Sequence, residues 1–218
     1  MARVGVFPTA QCLEALRVGL ASASLNIEAT IQKQLIAYLA LLDQWNAVHN
    51  LSAIRDPLQM VQRHLLDSLV LLPFLPPEPF RFIDVGTGAG LPGIPLGFCR
   101  PEAQGVLLDS RQKKITFVKH VLLSLKIPGL EAVCARVEDY EPAECFDLVI
   151  CRAFSSVSAF VQGSRHLCKL GGQFLAMKGQ VPTEAWGSLA PDGVLERIQP
   201  LQVPGLIGER CAVFIKRH

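Results

Sequence analysis

A run of glycines directly after an apolar segment constrains this chain most. Residues 80–85 predict a short strand, and Gly86, Gly88 and Gly90 follow it at alternate positions. Glycines at such a place let the backbone turn sharply and let a ligand approach main-chain N–H groups closely. The loop therefore predicts an α/β fold in which the first strand passes into the first helix beside a ligand.

Two ligand classes fit these glycines. The pattern G-x-G-x-G directly after the strand is the form seen in many methyltransferases, whose ligand is a nucleoside that carries methionine. Gly88, Gly90 and Gly93 also spell the dinucleotide pattern G-x-G-x-x-G. That match is shifted off the strand end, and Pro92 occupies the place where the helix should start, so we favour the first pattern. A purely structural turn is the remaining alternative.

The rest of the chain from residue 80 alternates strands with helices. Short apolar segments predict strands at 106–108, 132–135, 146–151 and 173–177, with helices predicted at 91–98, 111–125 and 157–170. Two further strands, 194–203 and 210–216, flank a Pro- and Gly-containing turn. This order predicts a Rossmann-like class I methyltransferase fold. Its seven-stranded sheet is mostly parallel, with an antiparallel C-terminal hairpin and an N-terminal helical extension before it.

The N-terminal third reads as helices over residues 9–75. Ile31, Leu35, Leu39 and Leu42 recur at helical spacing, and Asp56-Pro57 predicts a further helix start. That helix is predicted to stop before Pro73, where a segment with four prolines, 73–79, begins. We therefore expect two units: a helical region over 1–75 and a donor-binding domain over 80–218.

Composition excludes several classes of protein. The chain has 218 residues, half of them hydrophobic, so it can fill a core. It has no apolar run of the roughly 20 residues that a membrane span needs, and its first residues do not resemble a secretion signal. The seven cysteines are scattered without a C-x-x-C pair, which predicts no metal site and a reducing, cytoplasmic location. We also expect a monomer. The net charge of +2 permits a nucleic-acid partner without requiring one.

Acids follow the second and third predicted strands. Asp109 ends the second strand, 23 residues after Gly86, where a carboxylate can accept hydrogen bonds from ribose hydroxyls. Val137 or Glu138, after the third strand, would lie beside an adenine. The alternatives are that Asp109 caps the following helix and that Glu138 is a solvated surface acid.

Polar residues cluster at the end of the helical region. His64, Asp67 and Ser68 share one face of the predicted helix, and Arg63 can pair with Asp67. Such a face could orient a substrate or close over the cofactor. An amphipathic helix with a surface ion pair explains the same residues equally well.

Two cations end the fourth and fifth strands. Arg152 and Lys178 point to the carboxyl edge of the sheet, where ligands bind in open parallel sheets. Each could hold a phosphate or an electron-rich base, or could instead pair with a nearby acid. Cys151 has no base at a recognisable spacing and is predicted to be a core residue.

These segments, in this order, resemble the RsmG family, also called glucose-inhibited division protein B. The resemblance covers roughly residues 30–216. It rests on the segments 50–52, 63–68, 84–95, 107–110, 152–154 and 177–179. The resemblance implies transfer of a methyl group from S-adenosylmethionine to N7 of one guanine, position 527, in bacterial 16S ribosomal RNA. Carried over by motif, it implies a cofactor site with Gly86, Leu91, Val137, Glu138 and Arg152, and with Asp109 near the ribose.

Small departures from that family concern side chains only. Ser52 stands where the family often has Thr, Cys151 where Ser is common, and Val137 where Ala is common. A hydroxyl is kept at Ser52, and a backbone contact from Val137 would survive its change.

The implied chemistry needs no general base, because guanine N7 carries a free lone pair. Our hypothesis is that Asn50, His64 and Asp67 act as the catalytic group by positioning the guanine, while Arg63 and Lys178 meet the RNA backbone, on naked 16S RNA or on the small subunit. Two other functions stay open: a methyltransferase that acts on another RNA, a protein or a small molecule, and a non-catalytic or NAD-binding Rossmann module.

Overall fold

The structure is a computed structural model that describes residues 6–152, 154, 156–183, 186–189 and 192–218. Its N-terminal part is helical. Helices α1 and α2 are followed, after a loop, by a helical segment made of α3, a π-helical turn over Val61–Leu66, and α4. Their bounds are α1 Thr9–Ser22, α2 Ala29–His49, α3 Pro57–Met60 and α4 Asp67–Leu69. Asp56 starts α3 as predicted, because its side chain accepts a hydrogen bond from Gln59 N at 2.8 Å.

Seven strands form one sheet in the order β3-β2-β1-β4-β5-β7-β6. The first five are mutually parallel, β7 runs antiparallel to β5, and β6 runs antiparallel to β7. The strands are β1 Arg81–Val85, β2 Gln104–Asp109, β3 Leu130–Cys134, β4 Phe146–Cys151, β5 Cys168–Lys178, β6 Val194–Pro200 and β7 Cys211–Lys216. The predicted fold class, with its parallel sheet and C-terminal hairpin, is confirmed.

Helices cover both faces of the sheet. The remaining helices are α5 Gly93–Cys99, α6 Gln112–Leu125 and α7 Val157–Ser164. One hydrophobic core holds Phe82 and Leu107 of the sheet together with Leu39 of α2 and Ile115 of α6. The other core holds the alternate strand residues and the residues of α7. Helices α1 and α2 thus share a core with the sheet, and the division at residues 73–79 into two units stays a prediction.

Several predicted bounds differ from the structure. The helix predicted to stop before Pro73 ends at Leu69, and a short 3-10 helix, Leu72–Phe74, contains Pro73. The strand predicted over 194–203 ends at Pro200.

Two further helices also differ from their predicted bounds. The predicted helix over 157–170 ends at Ser164, and β5 already begins at Cys168. Cys168 pairs with Phe146, and Gly171 and Gly172 exchange backbone hydrogen bonds with Arg217, so these glycines lie inside a strand and do not end a helix. The predicted helix over 91–98 begins only at Gly93, after Pro92.

The strand register places the carboxyl ends of β1, β2, β3 and β4 next to one another. Val85 lies opposite Leu108 on one side and Cys151 on the other, and Asp109 lies opposite Cys134. The loops that follow β1, β2, β3 and β4 therefore leave the sheet at the same edge. Within the described residues, no helix is long and apolar enough to cross a membrane, and no group of His, Cys, Asp or Glu side chains could hold a metal ion.

Candidate active site at the carboxyl edge of the sheet

Asp84, in β1, binds the glycine loop through its side chain. Its Oδ2 accepts hydrogen bonds from the Thr87 hydroxyl at 2.7 Å and from Gly93 N at 2.9 Å. Gly86, Gly88 and Gly90 have φ of +73°, +63° and +94°, which a side chain rarely permits. These positive φ values form the sharp turn that the three glycines predict.

A tyrosine from the helical region holds the same loop. The Tyr38 hydroxyl, in α2, donates to the Ala89 carbonyl at 2.9 Å, and both groups are buried. Such a buried hydrogen bond contributes about 1 kcal/mol, and more is lost if its acceptor is left without a donor. Sequence reasoning missed Tyr38, because it lies 51 residues from its partner within an ordinary apolar helix face.

Asp109 accepts hydrogen bonds both from the glycine loop and from residues at the start of α6. Its Oδ2 accepts from Gly88 N at 3.0 Å and from Lys114 Nζ at 3.2 Å, and its Oδ1 accepts from Arg111 N at 2.9 Å. A carboxylate has about four acceptor sites, so one remains for a ligand. Asp109 is not the N-cap of α6: that position is Arg111, which has no side-chain cap, and the backbone N–H that Asp109 binds there is that of Arg111 itself. The contact between Asp109 and a ligand stays a prediction.

A first cavity of about 400 Å³ opens beside Asp109. Gly86, Val137 and Glu138 line it, together with Lys114 and Phe154. The Glu138 side chain is exposed and lies 3.3 Å from the Arg136 guanidinium. A hydrogen bond from its own backbone N–H, and then that guanidinium, lower the pKa of Glu138. The residues predicted to lie near ribose and adenine thus line one cavity.

A second cavity of about 330 Å³ continues from the first, with Gly86 and Lys114 in both walls. Its lining includes Gly88, Leu91, His64 and Arg152. A Cβ built on Gly86 would meet no atom within 4 Å, so this glycine borders open space where the two cavities meet. The two cavities lie side by side along the glycine loop, and we call the pair the trough.

His64 is buried in the wall of the second cavity. Its Nε2 lies 3.0 Å from the Ser52 hydroxyl, which also accepts from Ile54 N at 3.1 Å. Burial, followed by the positive charge of Arg152, lowers the pKa of His64 to about 4. The imidazole is therefore neutral at neutral pH. Its Nδ1 has no hydrogen-bond partner among the described residues.

Asn50, in contrast, lies apart from His64 and lines none of the cavities described here. It is exposed, ends α2 with φ of +50°, and its Oδ1 accepts a hydrogen bond from Arg55. Asn46 organises the loop instead, since its Oδ1 accepts from Ser52 N at 2.8 Å. Sequence reasoning missed Asn46, and the catalytic role of Asn50 stays a prediction.

A third cavity of about 240 Å³ lies beyond Arg152, which it shares with the second. Asp67 is buried in its wall. Asp67 Oδ1 accepts from Arg210 Nε at 3.0 Å, and Oδ2 lies 3.5 Å from Arg152 Nη1. These two arginines replace the predicted partner Arg63, whose exposed side chain also lines the cavity. Arg210 was missed because it lies 143 residues from Asp67 and belongs to no local motif.

The remaining predicted residues of the strand ends lie nearby. Lys178 lines the third cavity, and its Nζ donates to the Phe154 carbonyl at 2.7 Å. Ala153, in the predicted segment 152–154, lies outside the described residues. Cys151 is buried in the core as predicted, and burial raises the pKa of its thiol.

The raised pKa of Asp84 predicts how the free energy of unfolding depends on pH. Burial, the largest cause, raises the pKa of Asp84 to about 6, against the hydrogen bonds from Thr87 and Gly93 N. Because this pKa lies above the ordinary 3.8, protonated Asp84 stabilises the fold at low pH, and that contribution is lost as pH rises through about 6. The variant Asp84→Asn cannot ionise. We expect the difference in unfolding free energy between variant and wild type to change by roughly 3 kcal/mol between acidic and neutral pH.

Urea unfolding of both proteins across that pH range measures the difference. Asp139→Asn, which neutralises an exposed acid, is the control and should give a nearly constant difference from wild type. A constant difference for Asp84→Asn as well would show that Asp84 has an ordinary pKa.

Comparison with protein families gives one match over most of the chain. Residues 31–213 match the GidB family, described as rRNA small subunit methyltransferase G. A ribosomal RNA small subunit methyltransferase G from Methylobacillus flagellatus is 47% identical over 200 residues, which cover 92% of this chain and 96% of the relative. The protein of the same name from Escherichia coli K12 is 45% identical over 206 residues, covering 94% and 99%.

Solved structures share the fold at low sequence identity. A SAM-dependent methyltransferase from Aquifex aeolicus superposes with a TM-score of 0.57 at 15% identity, covering 75% of this chain and 94% of that one. The N-methyltransferase NodS from Bradyrhizobium japonicum, in complex with S-adenosyl-L-homocysteine, has a TM-score of 0.55 at 12% identity, covering 83% and 97%. These two likenesses concern the fold alone.

Proposed function

The chain belongs to the GidB family of rRNA small subunit methyltransferases, and we propose that it transfers a methyl group from S-adenosylmethionine to small-subunit ribosomal RNA. The observation that carries the proposal is the family match over residues 31–213, which begins inside α2, leaves out α1 and includes every residue that lines the three cavities. The finer proposal is the one implied by the resemblance: the acceptor is N7 of one guanine, position 527 of 16S RNA. We also propose that the enzyme acts as a monomer in the cytoplasm.

The trough fits the methyl donor. S-Adenosylmethionine supplies an activated methyl group on a sulfonium. Gly86 leaves open space where the cavities meet, and Asp109, in the first cavity, keeps an acceptor site for a ribose hydroxyl. We place the adenosine in the first cavity beside Val137 and Glu138. The amino-acid end belongs in the second, where His64 Nδ1 lacks a partner among the described residues and Leu91 and Arg152 complete the wall.

Catalysis by this chain consists of alignment. Guanine N7 carries its lone pair without losing a proton, so its line of attack on the methyl group is what the protein must fix. Neutral His64 suits this role, because it adds no positive charge near the reacting atoms, and its pKa of about 4 makes it a weak base in a reaction that needs none. Asp67 adds a buried carboxylate near the cation that forms on the guanine. Asn50 would have to reach the base from outside the cavities, and Arg63 and Lys178 would contact the RNA backbone.

Labelled-methyl transfer tests the proposal directly. The enzyme and labelled S-adenosylmethionine are incubated with small ribosomal subunits from a strain that lacks this gene, with naked 16S RNA, with total protein and with a metabolite pool. We expect label in 16S RNA, at a single guanine that becomes sensitive to borohydride and aniline cleavage as N7-methylguanine does. Label in protein or metabolites, or binding of NAD in preference to the donor by calorimetry, would contradict it.

A further inference from the structure

The third cavity is strongly positive. Its charged lining consists of four cationic side chains and one carboxylate, an excess of three positive charges, contributed by Arg63, Arg152, Lys178, Arg210 and Asp67. The cavity adjoins the second one through Ile54 and Arg152. A group bound there would therefore lie next to the amino-acid end of the trough.

The protein holds three of the four cations, Arg152, Lys178 and Arg210, in position. Asp67, only 4% exposed, holds Arg210 and Arg152 on its two oxygens. Arg152 also donates to the Arg63 carbonyl at 3.3 Å, and Lys178 donates to the Phe154 carbonyl at 2.7 Å. Arginine has five N–H donors, so the bonds to Asp67 leave each guanidinium further donors for a ligand. A site organised in this way needs little rearrangement to bind an anion.

These charges do not suit the reacting base. Arginine binds guanine through O6 and N7, and a donor on N7 would occupy the lone pair that must attack. The donor's sulfonium and the N7-methylated guanine are both cationic, so a ring of cations around the base would oppose the reaction. The chemistry that matches an excess of three positive charges is an anion, and RNA carries one on every phosphodiester.

We propose that the third cavity binds the phosphodiester next to the target nucleotide. This inference rests on the proposed function, and it gives the cavity a task distinct from holding the base. An enzyme that modifies one base has to take that nucleotide out of its helix. Fixing its phosphate beside Arg152 would hold the nucleotide where its base reaches the second cavity. Asp67, which lines the third cavity and not the second, is then a positioning residue for the two arginines.

Removal of one phosphate charge tests this placement. Small subunits are reconstituted with 16S RNA that carries a single neutral methylphosphonate at the phosphate on either side of the target guanine, or at a distant phosphate. For the wild type, we expect a methylphosphonate at one flanking position to weaken subunit binding about tenfold, as loss of one charge-assisted contact would, and the distant one to have little effect.

Matched variants make the test specific. Arg63→Gln should bind unmodified subunits about tenfold more weakly than wild type and should lose most of its response to the flanking methylphosphonate. Arg63→Lys should regain part of both. Arg17→Gln, on α1 and paired only with exposed Glu14 among the described residues, should behave as wild type. Donor affinity, measured separately, should not change in Arg63→Gln.

The outcomes separate the two proposals. Equal binding of all methylphosphonate subunits by the wild type, or an unchanged response in Arg63→Gln, would overturn the phosphate site even if methyl transfer proceeds. Absence of methyl transfer to unmodified subunits, with the charge-specific loss of binding still present, would overturn the proposed function and leave the phosphate site standing.

Discussion

The Gly86→Ala variant should fold and bind S-adenosylmethionine at least about 100-fold more weakly than the wild type, a loss of roughly 3 kcal/mol. The new Cβ meets no protein atom within 4 Å, so it does not disturb the packing of the free protein. It projects into the space that the proposed donor position requires. The positive φ of +73° costs about 1 kcal/mol in stability. Calorimetric titration with the donor measures the effect on binding.

Gly171→Ala is the matched control for backbone strain. Gly171 has φ of +71°, and a Cβ there also meets no atom within 4 Å, but it is an exposed residue of β5 and lines none of the three cavities. We expect a similar loss of stability and unchanged donor affinity. Equal donor affinity in Gly86→Ala and Gly171→Ala would mean that the donor does not lie against the loop.

Asp67→Asn should reduce turnover on ribosomal RNA by about 100-fold at saturating donor. The variant keeps the shape of the side chain but removes the charge that holds Arg152 and Arg210 and that, in the proposed mechanism, stabilises the cation formed on guanine. Both arginines are 28% exposed, so water partly compensates them, and the loss in unfolding free energy should be only about 1–2 kcal/mol. Single-turnover methyl transfer and urea unfolding separate the two effects.

Glu209→Gln controls for the loss of an acid near Arg210. Glu209 is exposed and contributes only its backbone carbonyl to Arg210, at 2.9 Å. Turnover should therefore stay within about twofold of wild type, as for most surface substitutions. Wild-type turnover in Asp67→Asn would remove Asp67 from the catalytic group; collapse of its fold would instead assign it a structural role.

Local sequence patterns were sufficient for the order of the elements and for the ligand loop. Strand–glycine and strand–acid boundaries are short-range features, so the sequence alone places Gly86 and Asp109 at one sheet edge. The glycines at 171 and 172 misled the prediction for the same reason: glycine ends helices, yet here the backbone pairs with a strand and with Arg217. Backbone pairing in the sheet therefore outweighs the preference of glycine for helix ends.

Contacts between distant segments could not be predicted. Nothing near Asp67 in the sequence indicates Arg210, and the Arg63 that stands at helical spacing does not pair with it. The π-helical turn over Val61–Leu66 alters the spacing on which the predicted Arg63–Asp67 pair depended. Likewise, Asn46 and Tyr38 belong to a regular helix, and their roles exist only once the loop 50–56 and the glycine loop are folded against it.

The hydroxyl of Tyr38 on the Ala89 carbonyl has a consequence for how such enzymes can be rearranged. Through Tyr38, the helical extension binds the turn against which we place the donor, and Ser52 and His64 supply part of the wall of the second cavity. The helical region therefore cannot be replaced by another RNA-binding region without affecting the glycine loop of the sheet. Grafting a different extension onto this sheet would have to rebuild the Tyr38 hydrogen bond before it could redirect the enzyme to a new acceptor.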